Sequence, residues 1–216
     1  ADDGQPYWIY TTYRNRRGFS LPEATGAWVV NATTGEMEKY TIDTIPEWVD
    51  RIQPEDFIAV IEIPQGSKKK YELDKETGLI ILDRVLHTST HYPANYGFIP
   101  RTYGDDGDPL DVLVLCSEAL DPLTLVRCYP IGYISMLDGG KNDEKIIAIP
   151  FTDPGYNGHR ELTDLPAHIF DEMAHFFAVY KALEGKEAVP GDVNGRAAAV
   201  EVIQRAIDHY VESFCR

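Results

Sequence analysis

Cysteine is scarce in this chain: three among 216 residues, Cys116, Cys128 and Cys215. An odd number without ligand-like spacing argues against both a disulfide framework and a cysteine metal site, and fits a reducing compartment. Cations are short too, with 20 Lys and Arg against 35 Asp and Glu, for a formal net charge of -15. Phosphate backbones and anionic lipid surfaces are held by surplus Lys and Arg, so neither nucleic acid nor membrane is expected as a partner. No apolar run approaches the roughly 18 residues of a membrane span, and there is no signal-peptide pattern. The expected location is the cytoplasm, or the stroma or matrix of an organelle. Repeats and low-complexity tracts are missing as well.

What is present suffices for one substantial core, since 44% of the residues are apolar. Residues 1–54 read as an N-terminal extension, a hairpin plus a short helical turn. The hairpin pairs residues 10–30 with 35–41 through the Asn31–Gly35 turn, and Pro46-Glu47-Trp48-Val49 supplies the helical turn. Residues 55–216 read as a single domain. Short strands are expected at 57–63, 69–73, 79–85, 111–116, 125–136 and 145–149, a spacing that implies an antiparallel barrel or sandwich. His91 to Pro100, with its aromatics and prolines, reads as a packed loop.

Beyond Pro150 the apolar period lengthens to about 3.6, which predicts two C-terminal helices. Asp164 caps the first, with Ile169, Met173, Phe176, Tyr180 and Leu183 on its buried stripe. The second runs from about 195 to 214 with Val200, Ile203, Ile207 and Tyr210 inward, and Pro190-Gly191-Asp192 forms a turn between them. The fold class is therefore mainly β with α, an α+β arrangement.

The densest chemistry lies in Asp106-Gly107-Asp108-Pro109-Leu110-Asp111-Val112, three carboxylates within six positions. Such a turn is stable when fully solvated, or when divalent cations sit between the oxygens. Taken alone, Asp, Gly and Pro are ordinary turn residues. An EF-hand is excluded by spacing, because the sixth position of that loop needs glycine and here is Asp111. The apolar run Val112 to Leu115 predicts a buried strand that anchors Asp111 at its mouth. Hard oxygen ligands without histidine or cysteine favour Mg²⁺ or Mn²⁺.

Other charges stand in unusual places. Glu62 shares a strand face with Ile58 and Val60, a poor position for an acid unless a cation meets it. Lys68, Lys70 and Glu72 alternate on one face, which a solvated surface explains as well as a pocket does. Arg84 follows Ile80 and Leu82. Tyr92 and Tyr96 carry hydroxyls able to donate to an anion such as phosphate. The loop 136–145, with Asp138, Asp143 and Lys145, reads by default as a solvated hairpin, and Tyr180-Lys181 fits either a core stripe or a site.

Together these residues resemble the soluble, family I inorganic pyrophosphatases. The family signature, Asp-x-Asp-Pro-hydrophobic-Asp-small apolar, is satisfied at every position of 106–112. Glu62, Lys70-Tyr71-Glu72, Asp83-Arg84, Tyr92-Pro93-Ala94-Asn95-Tyr96-Gly97, Asp138, Asp143, Lys145 and Tyr180-Lys181 follow in the family's order. The resemblance covers roughly residues 55–185, with 67–78 and 95–102 similar to plant-type members.

It implies an OB-like five-stranded β-barrel flanked by the two helices, and Mg²⁺-dependent hydrolysis of diphosphate to two phosphates. Asp106, Asp111 and Asp143 are implied as ligands of one metal, Asp111 reaching a second. Asp138 and Asp143 would hold ions that arrive with substrate, and Glu62 an outer or water-orienting position. Asp108 is implied as general base beside the metal, with Tyr96 also in the catalytic set. Lys70, Glu72, Arg84, Tyr92, Lys145, Tyr180 and Lys181 would hold the substrate, Mg-diphosphate. Mn²⁺ or Zn²⁺ are implied as substitutes, Ca²⁺ as an inhibitor, and a homo-oligomer as the assembly. One departure is Gly139, where many bacterial members carry an acid; Glu144 is the residue that could compensate. Two competing classes share the same features: an oligonucleotide-binding module on an OB-like barrel, and a phosphohydrolase for a nucleotide or organic diphosphate.

Overall fold

The computed structural model describes residues 7–14, 23–31, 33–41, 44 and 56–214. The chain divides into two compact units, residues 1–53 and 54–216. In the first, β1 (Tyr7–Arg14), β2 (Glu23–Asn31) and β3 (Met37–Thr41) form an antiparallel sheet in that order. The sequence had suggested one long arm over 10–30. That arm is folded back on itself as β1 and β2, so the hairpin is a meander. Its second turn is built by Asn31, whose Oδ1 accepts the N–H groups of Thr33 at 2.8 Å and Thr34 at 3.0 Å, a side-chain mimic of a backbone turn. The expected helical turn at 46–49 lies outside the described residues.

In the second unit the strands are β4 (Phe57–Ile63), β5 (Lys69–Leu73), β6 (Ile80–Val85), β7 (Asn95–Phe98), β8 (Asp111–Val114), β9 (Leu125–Asp138), β10 (Lys141–Asn142), β11 (Lys145–Pro150) and β12 (Ala188–Gly195). Pairing runs β4–β7–β8–β11–β9, and β9 returns to β4. Five strands thus close into the expected OB-like barrel. One pair, β8 with β11, is parallel, so the barrel is mixed where the sequence implied antiparallel. Closure leaves no room for a side chain at one point: a Cβ on Gly97 would lie 1.9 Å from the Val60 carbonyl oxygen. Glycine lets β7 meet β4 there.

The barrel wall is apolar on both faces, which is why its strands read as near-continuous hydrophobic runs. On one face Leu113, Ile147 and Ile149 pack with α1 (His168–Val179); on the other Val112, Ile146 and Ala148 pack with α2 (Arg196–Phe214). The first helix buries Phe170, Met173, Phe176 and Phe177, with Tyr180 at its C-cap. Leu183 is 70% exposed, because the helix ends before that position. Asp164 does not cap α1. Its Oδ2 instead accepts the N–H groups of Arg160 at 2.7 Å and Glu161 at 2.9 Å, closing a separate 3-10 turn at Leu162–Asp164. In α2 the buried stripe is Ala199, Val202, Ile203 and Ala206; its small residues shift the contact by one position from that expected, and only Ile203 is common to both.

Three strands of the second unit were missed by the sequence reading: the two-residue β10, within the expected 136–145 hairpin loop, β7 and β12. The four residues of β7 are all buried, but Pro93 and Gly97 hide so short a run. Pro190-Gly191-Asp192, expected as a turn, lies within β12 as an irregularity in its pairing with β9. Among the described residues, no helix is long and apolar enough to cross a membrane.

Candidate active site

The acidic turn folds before any partner is considered. Gly104 N–H donates to the Asp108 carbonyl at 2.8 Å, Asp108 N–H donates to Asp106 Oδ1 at 3.1 Å, and Gly107 takes a φ of 93°. Only glycine adopts that conformation without strain. The turn delivers Asp111 as the first residue of β8, where parallel register sets it directly beside Lys145 of β11. Lys145 is 3% exposed and donates to Asp111 and, at 2.5 Å, to Asp143 Oδ1. Tyr96, from β7, donates its hydroxyl to Asp111 Oδ2 at 2.5 Å. A buried lysine is thus clasped by two acids, with the Tyr96 hydroxyl closing one side.

This centre holds more negative charge than Lys145 offsets. Burial pushes the Asp143 carboxyl up to about 6; Lys145 opposes the rise, and Asp111 and Asp106 add to it. Partial burial likewise raises Asp106, with Asp111 and Asp108 contributing. Burial carries Glu62 up to about 7, with Asp111 and Glu72 adding and the Leu73 N–H and Lys70 pulling it down. Burial disfavours the Lys145 charge, but Asp111 and Asp143 override it and hold the ammonium above its ordinary range. Carboxylates that destabilise one another's charge in this way gain from an added cation.

Around the centre, Glu62 Oε1 accepts the Leu73 N–H at 2.7 Å, tying β4 to the β5–β6 hairpin. On that hairpin Lys70 and Arg84 are paired in register. Lys70 donates to Glu72, and Arg84 binds Asp83 and, at 3.0 Å, Glu184. Arg84 Nη2 is the one buried side-chain nitrogen or oxygen without a hydrogen-bond partner among the described residues. Such an orphan donor marks a place where an anion would be welcome. Tyr92 is buried, its ring 5.3 Å from that of Tyr96 and 4.8 Å from that of Phe176. Burial raises its hydroxyl pKa, with the charges of Tyr180, Asp111, Arg84 and Glu62 acting on it, so these groups share one electrostatic neighbourhood. Tyr180 packs on Phe176 at 5.2 Å, and Lys181 donates to Asp138.

The structure therefore gathers Glu62, Arg84, Tyr92, Tyr96, Asp106, Asp111, Asp143, Lys145 and Tyr180 around one centre, with Lys70 and Glu72 on the adjoining hairpin. Asp138 and Lys181 form a pair linked to it through Tyr180. Asp108 stands apart at the rim, its side chain 67% exposed and bound by Lys75 Nζ at 2.6 Å. Among the described residues, no three His, Cys, Asp or Glu side chains converge as a ready ligand shell; lysines occupy the places between the acids. Sequence reasoning missed Lys75, Glu184 and Asn95. Asn95 is fully buried and fixes the entry to β7 by accepting the N–H groups of Gln65 at 3.1 Å and Leu120 at 2.8 Å. All three act across 25 residues or more, so no local pattern announces them.

Gly139 has a local explanation. Gly139 and Gly140 have φ of 58° and 83° and make the tight connection between β9 and β10, a geometry that favours glycine at both positions. Glu144 faces Arg205 at 3.6 Å, so the structure gives it a partner of its own.

Comparison with known proteins bears on the family. The family model described as "Inorganic pyrophosphatase" matches residues 59–211. The chain is 48% identical over 155 residues to soluble inorganic pyrophosphatase 2 of Chlamydomonas reinhardtii, covering 72% of this chain and 81% of that protein. It is 46% identical over 159 residues to soluble inorganic pyrophosphatase 1 of Arabidopsis thaliana, covering 74% and 75%. The solved inorganic pyrophosphatase of Helicobacter pylori superimposes with a TM-score of 0.70 at 40% identity, covering 73% of this chain and 94% of that one. With a shared barrel and a family match over most of its length, the chain belongs to the inorganic pyrophosphatase family of hydrolases.

Proposed function

We propose that this protein hydrolyses inorganic diphosphate to two phosphates in a Mg²⁺-dependent reaction with Asp108 as general base. The observation that carries the reading is the clasp of Asp111 and Asp143 on one buried lysine, with the orphan donor of Arg84 in the same electrostatic neighbourhood. The donors are carboxylate oxygens alone, a set that fits a hard divalent ion. Asp106, Asp111, Asp138, Asp143 and Glu62 would hold it, with Asp108 beside them. When bound, such an ion lowers the pKa of its water toward neutrality and offsets charge on phosphate oxygens.

The chain's own residues then divide the remaining work. Asp108, at the exposed rim, accepts a proton from the attacking water; the water oxygen bonds to one phosphorus as the bridging P–O bond breaks. Arg84, Lys70, Lys145 and Lys181 offset the charge of the departing phosphate, Tyr92 and Tyr180 donate hydroxyl hydrogens, and Tyr96 keeps its own on Asp111 to hold that carboxylate in place. Glu72 holds Lys70 in place. The substrate is the metal complex of diphosphate, and the net charge of -15 disfavours nucleic acid or an anionic membrane. Exposed Leu79, Ile81, Leu82 and Val85 on the β5–β6 hairpin support self-association, and the odd count of three cysteines supports a reducing location such as the cytoplasm.

Phosphate release from diphosphate should appear with Mg²⁺, vanish with chelator, persist with Mn²⁺ or Zn²⁺ and be suppressed by Ca²⁺. Turnover of ATP or a phosphomonoester faster than of diphosphate overturns the reading. Arg84→Ala is expected to raise KM about 10- to 100-fold, the loss of one or more charge-assisted bonds to the anion. It also leaves Glu184, whose side chain is 7% exposed, without its guanidinium. A thermal melt run beside the kinetics separates the two effects, and an unchanged KM removes Arg84 from substrate binding.

A further inference from the structure

Lys75 belongs to no part of the machinery described above, yet it holds the carboxylate assigned as general base. It lies in the turn that joins β5 to β6. That turn is braced by its own bonds: Asp74 N–H donates to the Leu79 carbonyl and Gly78 N–H to the Asp74 carbonyl, both at 2.8 Å, and Glu76 N–H donates to Asp74 Oδ1 at 3.2 Å. The stem of Lys75 therefore starts from a fixed point. From there the ammonium crosses to Asp108 Oδ1 at 2.6 Å.

The contact repeats a pattern found elsewhere in the site. Asp111 and Asp143 are held by Lys145, and Asp138 by Lys181. Lysine ammoniums thus stand on four of the acids assigned to the metal region. Lys145 and Lys181 are 3% and 15% exposed and lie in the site wall. Lys75 is different, because its side chain is 56% exposed and free to withdraw into water. An ion pair this exposed contributes little to folding. Its effect must be sought in what else could occupy the Asp108 carboxylate.

We propose that Lys75 is a positioning residue that competes with the divalent ion for Asp108. The ammonium holds the carboxylate while the metal is absent, and like-charge repulsion requires it to leave as the metal arrives. The site consequently gives up some metal affinity in exchange for an Asp108 that is already placed. This inference rests on the reading that Asp108 lies beside the metal.

Calorimetric titration of Mg²⁺ into substrate-free protein at low ionic strength tests it. Lys75→Met is expected to bind Mg²⁺ roughly two- to fivefold more tightly than wild type, the range set by exposed ion pairs. Lys75→Arg should restore the wild-type affinity, and added salt should shrink the difference. In an Asp108→Asn background, Lys75→Met should give no further gain, because the shared carboxylate is gone. Unchanged or weaker Mg²⁺ binding in Lys75→Met overturns the proposal, as does a gain that persists undiminished in the Asp108→Asn background. A raised KM for diphosphate with unaltered Mg²⁺ affinity would make Lys75 a substrate-binding residue and equally overturn it. Failure of the underlying reading looks different: Asp108→Asn would then turn over diphosphate at the wild-type rate, whatever the calorimetry of Lys75 shows.

Discussion

Replacing Asp108 with asparagine should slow diphosphate turnover by about two to four orders of magnitude, the usual contribution of a positioned base. The substitution keeps the shape of the side chain and removes its ability to take a proton at neutral pH. Because Asp108 is 67% exposed and outside the buried clasp, the fold has little at stake. A change at such a surface position is expected to stay within about 0.5 kcal/mol. Substrate KM and Mg²⁺ affinity should move by only a few-fold, since Asp106, Asp111 and Asp143, the other acids assigned to the metal, are untouched and Asp111 and Asp143 keep their placement beside Lys145. Single-turnover phosphate release, together with the calorimetry above, checks both halves. A variant as fast as wild type removes Asp108 from the mechanism. One that is slow only because metal is lost makes Asp108 a ligand and nothing more.

The second large effect is structural. Lys145→Met should destabilise the metal-free protein by about 3–5 kcal/mol, the cost of breaking a buried ion cluster from one side. Asp111 and Asp143, 24% and 11% exposed, would be left facing each other without a cation. For a chain of this size that loss corresponds to a fall in Tm of roughly 6–20 °C. Mg²⁺ should return much of it, because an ion that binds the folded state alone stabilises by mass action. Thermal denaturation with chelator and with rising Mg²⁺ measures both. Equal melting of variant and wild type in chelator would show that the two acids do not depend on the ammonium.

The contrast between these two positions also shows what was legible in the sequence. Asp106, Asp108 and Asp111 could be picked out because a tight acidic turn at the mouth of an apolar strand is a local pattern. Strand spacing allowed a barrel or a sandwich, and the family resemblance selected the barrel; the helices were legible from their period. The clasp on Lys145 was not, because it depends on parallel register between β8 and β11, and composition points to antiparallel pairing. The β7 strand escaped because its four residues lie between a proline and an apolar loop. The end of α1 was placed too late because Leu183 continues the apolar period after the backbone has left the helix. Lys75 escaped for a different reason: its partner is 33 positions away, and a lysine in a turn normally meets only water.

Lys70, Lys75 and Arg84 all ride on the β5–β6 hairpin, a two-stranded ribbon outside the barrel's own hydrogen-bonded ring. The acids Asp111 and Asp143, in contrast, are fixed in or beside barrel strands. Exchanging this one ribbon between relatives would therefore change Lys70, Arg84 and the hold on Asp108 together, while Asp111 and Asp143 are inherited with the barrel.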